Sequence, residues 1–352
     1  MIDAKTFSKE HFAKLKNRKT VNPPILERAL FALGLVEALR KVDMDFIFKG
    51  GSSLMVLLEK PMRLSTDVDI LVEPGYDIDS YIDKASVIFP FLRKEESIRS
   101  TNKNIEKRHF RFYFKSISKP DEELSVLLDV VFEHNPYPNL LEKNIDNELL
   151  INSSDPIKVH VPNIDSIIGD KLTAFAPHTI GVMFFNENFS NDKRLEVVKQ
   201  FYDIAILFDH ISDYQEIKNS YYSVAKNELA FRNLSIGIND CLLDTYNAAL
   251  TILLRGKNSD QDYPNYLEGM RRLRGHVYGE VFSAEIARLH APKVMFLAAC
   301  LIRGVNFKDA KYDDDLSKLD SLVIKNIKSL GRAEKTRKVF ELAIVAMRLM
   351  KQ

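Results

Sequence analysis

Leu26, Leu30, Leu33, Val36 and Leu39 recur at steps of three and four, which predicts an amphipathic helix over 22–42. Asn22-Pro23-Pro24 opens it, at positions where proline costs little because the first N–H groups of a helix have no intrahelical partner. Gly34 inside that helix costs about 1 kcal/mol relative to alanine. The pattern then changes. Phe46-Ile47-Phe48 is a short apolar run that ends at Lys49-Gly50-Gly51-Ser52-Ser53, and Leu54, Val56, Leu57 and Leu58 resume a helical spacing. This is strand, glycine turn, helix. In Asp67-Val68-Asp69-Ile70-Leu71-Val72, charged and apolar residues first alternate, so both carboxylates lie on one face of a strand. Further strands are predicted at 109–114, 124–132 and 157–161, and a helix at 164–175.

Beyond about residue 190 the strand signal fades. Leu195, Val198, Phe201, Tyr202, Ile204, Ala205 and Phe208 define a helix, and more follow at 213–230, 236–255, 264–273, 280–288, 292–304 and 332–350. The expected class is α+β: a mixed-sheet domain with an N-terminal helix over 1–185, then an all-helical domain over 186–352. A chain of 352 residues with 45% hydrophobic residues suits two domains.

Net charge is +1, so any basic surface has to be local. The stretch 271–352 holds 17 Lys or Arg against 9 Asp or Glu, including Arg271, Arg272, Arg274, Arg332, Lys335, Arg337 and Lys338. That excess would attract an RNA, or is simply the solvated face of several helices. Cys241 and Cys300 are far apart, with no CxxC pair, and are expected to be buried thiols in a reducing compartment. No secretory leader and no membrane-spanning run is read, so a cytoplasmic protein is expected. The scattered histidines lack zinc spacing.

The chemistry is concentrated in Gly50-Gly51-Ser52 followed by Asp67-x-Asp69. Two glycines let backbone N–H groups approach phosphate oxygens, and the following helix N-terminus adds partial positive charge. Paired carboxylates on one strand face suit magnesium, which takes one or two carboxylates plus phosphate oxygens and water. Such an ion serves in-line phosphoryl transfer. Asp129 interrupts the apolar run Leu127, Leu128, Val130, Val131; it is a third metal or catalytic carboxylate, or an edge residue meeting water. Arg63, Ser65 and Lys49 flank the constellation and are candidate nucleotide contacts, with local pairing as the alternative. Pro177-His178-Thr179-Ile180-Gly181 reads as a loop that could line a nucleotide pocket.

These residues resemble the DNA polymerase β-like nucleotidyltransferase superfamily. More narrowly the chain looks like the AbiEii/AbiGii family of abortive-infection toxins. Four segments carry the likeness: Lys49-Gly50-Gly51-Ser52-Ser53-Leu54, Arg63-Leu64-Ser65-Thr66-Asp67-Val68-Asp69, Asp170-Lys171-Leu172-Thr173-Ala174 and Lys199-Gln200-Phe201-Tyr202-Asp203-Ile204. The likeness spans about 45–210. It implies Asp67 and Asp69 as metal ligands and Gly50, Gly51 and Ser52 as the phosphate cradle. Lys171 would contact the triphosphate, and Asp203 would act as a catalytic acid or as the base that activates the acceptor hydroxyl. A solvated helix face is the plainer reading of Lys171, and a buried salt bridge or a cap to a neighbouring helix that of Asp203. The resemblance further implies transfer of a nucleoside monophosphate from a nucleoside triphosphate, with tRNA as the leading acceptor and an antitoxin as partner. A small-molecule nucleotidyltransferase of the aminoglycoside-modifying kind and an inactive binding module of the same fold are the rivals.

Overall fold

The computed structural model describes residues 1–18, 21–97, 106–185, 191–258 and 260–352. Its elements in chain order are α1 (Lys9–Arg18), α2 (Pro23–Lys41), β1 (Ile47–Lys49), α3 (Gly50–Leu57), β2 (Asp67–Val72), α4 (Asp79–Ala85), β3 (Arg93–Glu96), β4 (Lys107–Lys115), β5 (Glu123–Phe132), β6 (Leu140–Asn144) and β7 (Lys158–Pro162). Helices follow: α5 (Ile164–Ala174), α6 (Arg194–Leu207), α7 (Tyr214–Phe231), α8 (Ile238–Leu254), α9 (Tyr263–Leu273), α10 (Ala284–Arg303), α11 (Ser321–Ile327) and α12 (Glu334–Lys351). The α+β expectation holds.

Two compact units emerge. The first is Met1–Asn163 with Gly275–Glu280, and the second is Ile164–Arg274 with Val281–Gln352. The division expected after residue 185 is drawn differently, because α5 packs on α6 and α7 and so groups with the helices. The short return at 275–280 has no hydrophobic period that would announce it.

The first unit is built on a seven-stranded sheet in the order β3-β4-β5-β2-β1-β7-β6. β2 runs parallel to β5 and β1 parallel to β7, while the remaining neighbours are antiparallel. One face carries Phe110, Phe112 and Phe114 of β4 with Val126, Leu128 and Val130 of β5, all fully buried. Helix α2 packs against β2 and β5, and its Phe31 ring stacks on Phe114 at 3.6 Å. Burial of such side chains is worth about 1.5–3 kcal/mol each, so this layer is the main stabiliser of the unit. Gly34 has a local reason: a Cβ there would stand 3.0 Å from the Phe7 ring, which packs onto the helix. The opposite face of the sheet is half-open, and it presents the acidic strand.

In the second unit, α10 lies against α8 and α12, and α5 against α7. Two helices were expected over 280–304, yet α10 runs unbroken through Pro292. Proline inside a helix removes a hydrogen bond at a cost of about 3 kcal/mol. Here the buried neighbours Ala291, Val294, Met295 and Phe296 hold the helix together across it. Ser283 caps its start, accepting from the Ile286 N–H, and Gly304 ends it at φ 66°. Cys241 and Cys300 are both buried, and burial pushes the Cys300 thiol up to about 12. Among the described residues, no helix is long and apolar enough to cross a membrane.

Candidate active site

β1 ends at Lys49 and α3 begins at Gly50, so the two glycines form the junction itself. Gly50 has φ 73°, a left-handed conformation that side chains rarely adopt. A Cβ on Gly50 would overlap the Asp69 carboxylate oxygen Oδ2, and one on Gly51 would overlap the Arg63 guanidinium at Nη2. The bare backbone therefore lets a carboxylate and a guanidinium close in on the helix start. Ser52 and Ser53 are fully buried. The Ser52 hydroxyl donates to the Asp67 carbonyl, and the Ser53 hydroxyl to the Gly50 carbonyl at 2.8 Å. Ser52 thus ties α3 to β2 with its side chain, and only its backbone N–H is left for the cradle role read from the sequence.

Asp67 and Asp69 sit half-buried on one face of β2, between the buried Val68 and Ile70. Strand register extends this face sideways. Asp69 stands opposite Lys49 of β1 on one side and Asp129 of β5 on the other, and Asp129 stands opposite His109 of β4. The row Lys49, Asp69, Asp129, His109 crosses four strands. The apolar surroundings of Asp129 are explained by alternation: Val126, Leu128 and Val130 point into the core, while Asp129 shares the half-open face with Leu127 and Val131. Its side chain is 25% exposed, and its Oδ1 meets His109 Nδ1 at 2.5 Å.

His109 was not singled out in the sequence. Its signal is its place in the alternating stretch Lys107–Lys115, but the pairing with Asp129 depends on strand register, which one sequence does not display. Among the described residues, no group of three or more His, Cys, Asp or Glu side chains gathers closely enough to form a metal cage. Two aligned, half-exposed carboxylates still fit magnesium, whose other ligands are water and phosphate oxygens.

Arg63 is 4% exposed and Ser65 8%. Their segment is clasped by the returning stretch 275–280. Leu64 N–H donates to the His276 carbonyl at 2.7 Å, Tyr278 N–H donates to the Met62 carbonyl at 2.8 Å, and Arg63 bridges to Val277. Nothing in the sequence marked 275–280 as part of the site.

Lys171 and Asp203 lie in the helical unit, on α5 and α6. They form an ion pair at 3.1 Å, with side chains 6% and 1% exposed, and Lys171 Nζ also donates to Gln200 Oε1 at 2.8 Å. The salt bridge weighed for Asp203 is the geometry adopted, and it binds together two residues read separately from the sequence. The loop 177–181 is stitched to α8: His178 N–H and Thr179 Oγ1 donate to Asp244 Oδ2 at 2.8 and 2.9 Å. Burial pushes that carboxyl's pKa up, partly offset by these donors. Much of the basic excess is internally paired. Arg271 and Arg272 share Glu268, holding its carboxyl down at about 2, while Arg337 pairs with Glu341 and Arg348 with Asp313. Arg332, Lys335 and Lys338 are exposed.

The family model of the nucleotidyl transferase AbiEii toxin, from type IV toxin–antitoxin systems, matches residues 35–285. Among solved structures, the nucleotidyltransferase toxin MenT4 of Mycobacterium tuberculosis matches with a TM-score of 0.50 and 12% identity, covering 97% of this chain and 99% of that one. At that identity the likeness concerns the fold. No curated protein matches the chain.

Proposed function

Because this chain belongs to the AbiEii nucleotidyltransferase toxin family of type IV toxin–antitoxin systems, we propose that it transfers a nucleoside monophosphate from a nucleoside triphosphate to a hydroxyl of RNA, most simply tRNA, with magnesium. The observation that carries this reading is the contact between bend and acid: Gly50 has no Cβ where the Asp69 carboxylate approaches the start of α3. A triphosphate seated on the N–H groups of Gly50, Gly51 and Ser52 thereby comes next to the acidic pair.

The acceptor oxygen attacks the α-phosphorus. The new P–O bond forms as the bond to pyrophosphate breaks, and the hydroxyl proton leaves to a carboxylate. Asp129 is suited to receive it, being part-exposed and in register with Asp69; with Asp67 and Asp69 it is also the third candidate metal ligand. Magnesium held by Asp67 and Asp69 would neutralise phosphate charge and polarise the α-phosphorus. Arg63 adds fixed positive charge at Gly51, and Lys49 lies beside Asp69. The resemblance assigns Lys171 to the triphosphate and Asp203 to acid or base work; within the helical unit Asp203 holds and orients the Lys171 ammonium, so service of Asp203 as the base requires release of that ion pair. The reaction is proposed for the cytoplasm, where triphosphates and tRNA meet, with the cognate antitoxin as its counterpart.

The test is incubation of total RNA and aminoglycosides with each labelled triphosphate. Label on RNA that needs magnesium and vanishes in Asp69→Ala supports the reading. Label on the aminoglycoside alone overturns the RNA acceptor, and no label with any triphosphate overturns the activity.

A further inference from the structure

We propose that the outward face of β4 is the acceptor-binding surface, a stripe that carries a single RNA strand across the sheet to Asp129. The inference rests on the reading of the site given above, and it begins from direction. In-line displacement places the attacking oxygen opposite the departing pyrophosphate. The glycine bend that cradles phosphates follows β1, on one side of the acidic strand β2. In the strand order β3-β4-β5-β2-β1, the opposite side is occupied by β5 and β4. The attacking hydroxyl therefore arrives over β5 and β4, where Asp129 stands ready and the pyrophosphate does not intrude.

β4 is built for such a guest. Its inward side chains Phe110, Phe112 and Phe114 are fully buried, while Lys107, His109, Arg111, Tyr113 and Lys115 alternate on the outward face. Lys107, Arg111 and Lys115 are exposed, and His109 and Tyr113 are partly so. Cations thus alternate with rings, at a repeat of roughly 6.7 Å between same-face residues. Single-stranded nucleic acids use both, laying phosphates on cations and bases on rings. The platform continues onto the edge strand β3, where the Arg93 guanidinium lies 3.6 Å from the centre of the Tyr113 ring. Arg93 also pairs with Glu95 and Glu123, and Tyr113 donates to Glu95 at 2.6 Å, so this end of the stripe is braced. At the other end His109 meets Asp129, which joins the stripe to the acidic row. Arg111 falls in register with Leu127 and Leu127 with Asp67, so a cation lies level with Asp67 and the His109 ring level with Asp69. The exposed cations Arg332, Lys335 and Lys338 near the start of α12 belong to the helical unit and serve as the comparison.

The test uses the full chain and tRNA in a filter-binding titration across a salt series. The triple reversal Lys107→Glu, Arg111→Glu, Lys115→Glu alters only exposed side chains. It should weaken tRNA binding at least tenfold and flatten the log affinity against log salt slope by about 2, from roughly 0.7 per lost phosphate contact. Binding of a non-hydrolysable triphosphate should stay within about twofold. Arg111→Ala alone, which keeps the fold under the mildest change, should raise the KM for tRNA and leave kcat in place. Reversal of Arg332, Lys335 and Lys338 should leave tRNA binding intact. If that second reversal weakens binding and the first does not, the stripe is overturned while the RNA acceptor stands. If the unaltered chain neither binds nor labels RNA, the acceptor reading fails and takes the stripe with it.

Discussion

Replacing Lys171 by alanine should damage the fold before it informs on catalysis. Its ammonium lies 3.1 Å from Asp203, with both side chains at or below 6% exposure. Removing the cation takes away the counter-charge of a carboxylate buried inside the helical unit, and breaking a buried pair in this way costs about 3–5 kcal/mol. Against a total stability of roughly 5–15 kcal/mol that is a large share. In a unit of this size each kcal/mol shifts the melting temperature by about 2–4 °C, so a fall of roughly 6–20 °C is expected. The double variant Lys171→Met, Asp203→Asn removes both charges and should recover most of that loss. Calorimetry on the parent, the two single variants and the double gives the coupling directly. Transfer measured well below each melting point then separates folding from chemistry, and a stable but inactive double variant assigns the Lys171–Asp203 pair to the chemistry. If Lys171→Ala melts within about 2 °C of the parent, the pair does not hold the unit and the argument from its burial is wrong.

Gly50→Ala should lose transfer by about a hundredfold or more, since the new methyl group meets the Asp69 carboxylate and the left-handed backbone adds about 1–2 kcal/mol of strain; retention of normal kcat/KM would refute the close approach of bend and acid. Asp69→Ala should abolish transfer with a melting temperature within a few degrees of the parent, because the carboxylate is half-exposed; equal loss of stability and activity would reveal a structural role instead. His290, pushed down to about 4 by burial, stays neutral in the fold while the unfolded chain binds a proton below its ordinary 6.5. Its contribution is therefore level above pH 6.5 and falls between 6.5 and 4 by about 3 kcal/mol. Denaturant titrations of His290→Leu should show a shallower loss over that window, and an unchanged pH slope would exclude this imidazole as its source.

The glycine bend, the acidic strand and its neighbouring helices were legible because each is local: a two-residue alternation, a helical period, a pair of glycines. Asp129 was visible only as an oddity in an apolar strand, since its meaning comes from register with Asp69 on another strand and His109 on a third. Lys171 and Asp203 were found through resemblance, one segment at a time. That they grip each other depends on how α5 and α6 pack, which periodicity does not encode. Ser52 was read as a phosphate donor from its place after the glycines, but its hydroxyl faces the Asp67 carbonyl, a partner 15 residues away. The separate helices expected at 280–288 and 292–304 are one, because tertiary burial carries α10 across Pro292, a residue type that ordinarily ends a helix.

The clasp between 62–64 and 276–278 has a consequence for the order of events on the ribosome. Residues up to Asn163 can emerge and begin to collapse, but the segment that seats Arg63 against the bend is not made until some 110 residues later. A nascent chain released early would carry the acids and the glycines with one flank undone. The flank of the acidic strand is therefore completed only when most of the chain exists.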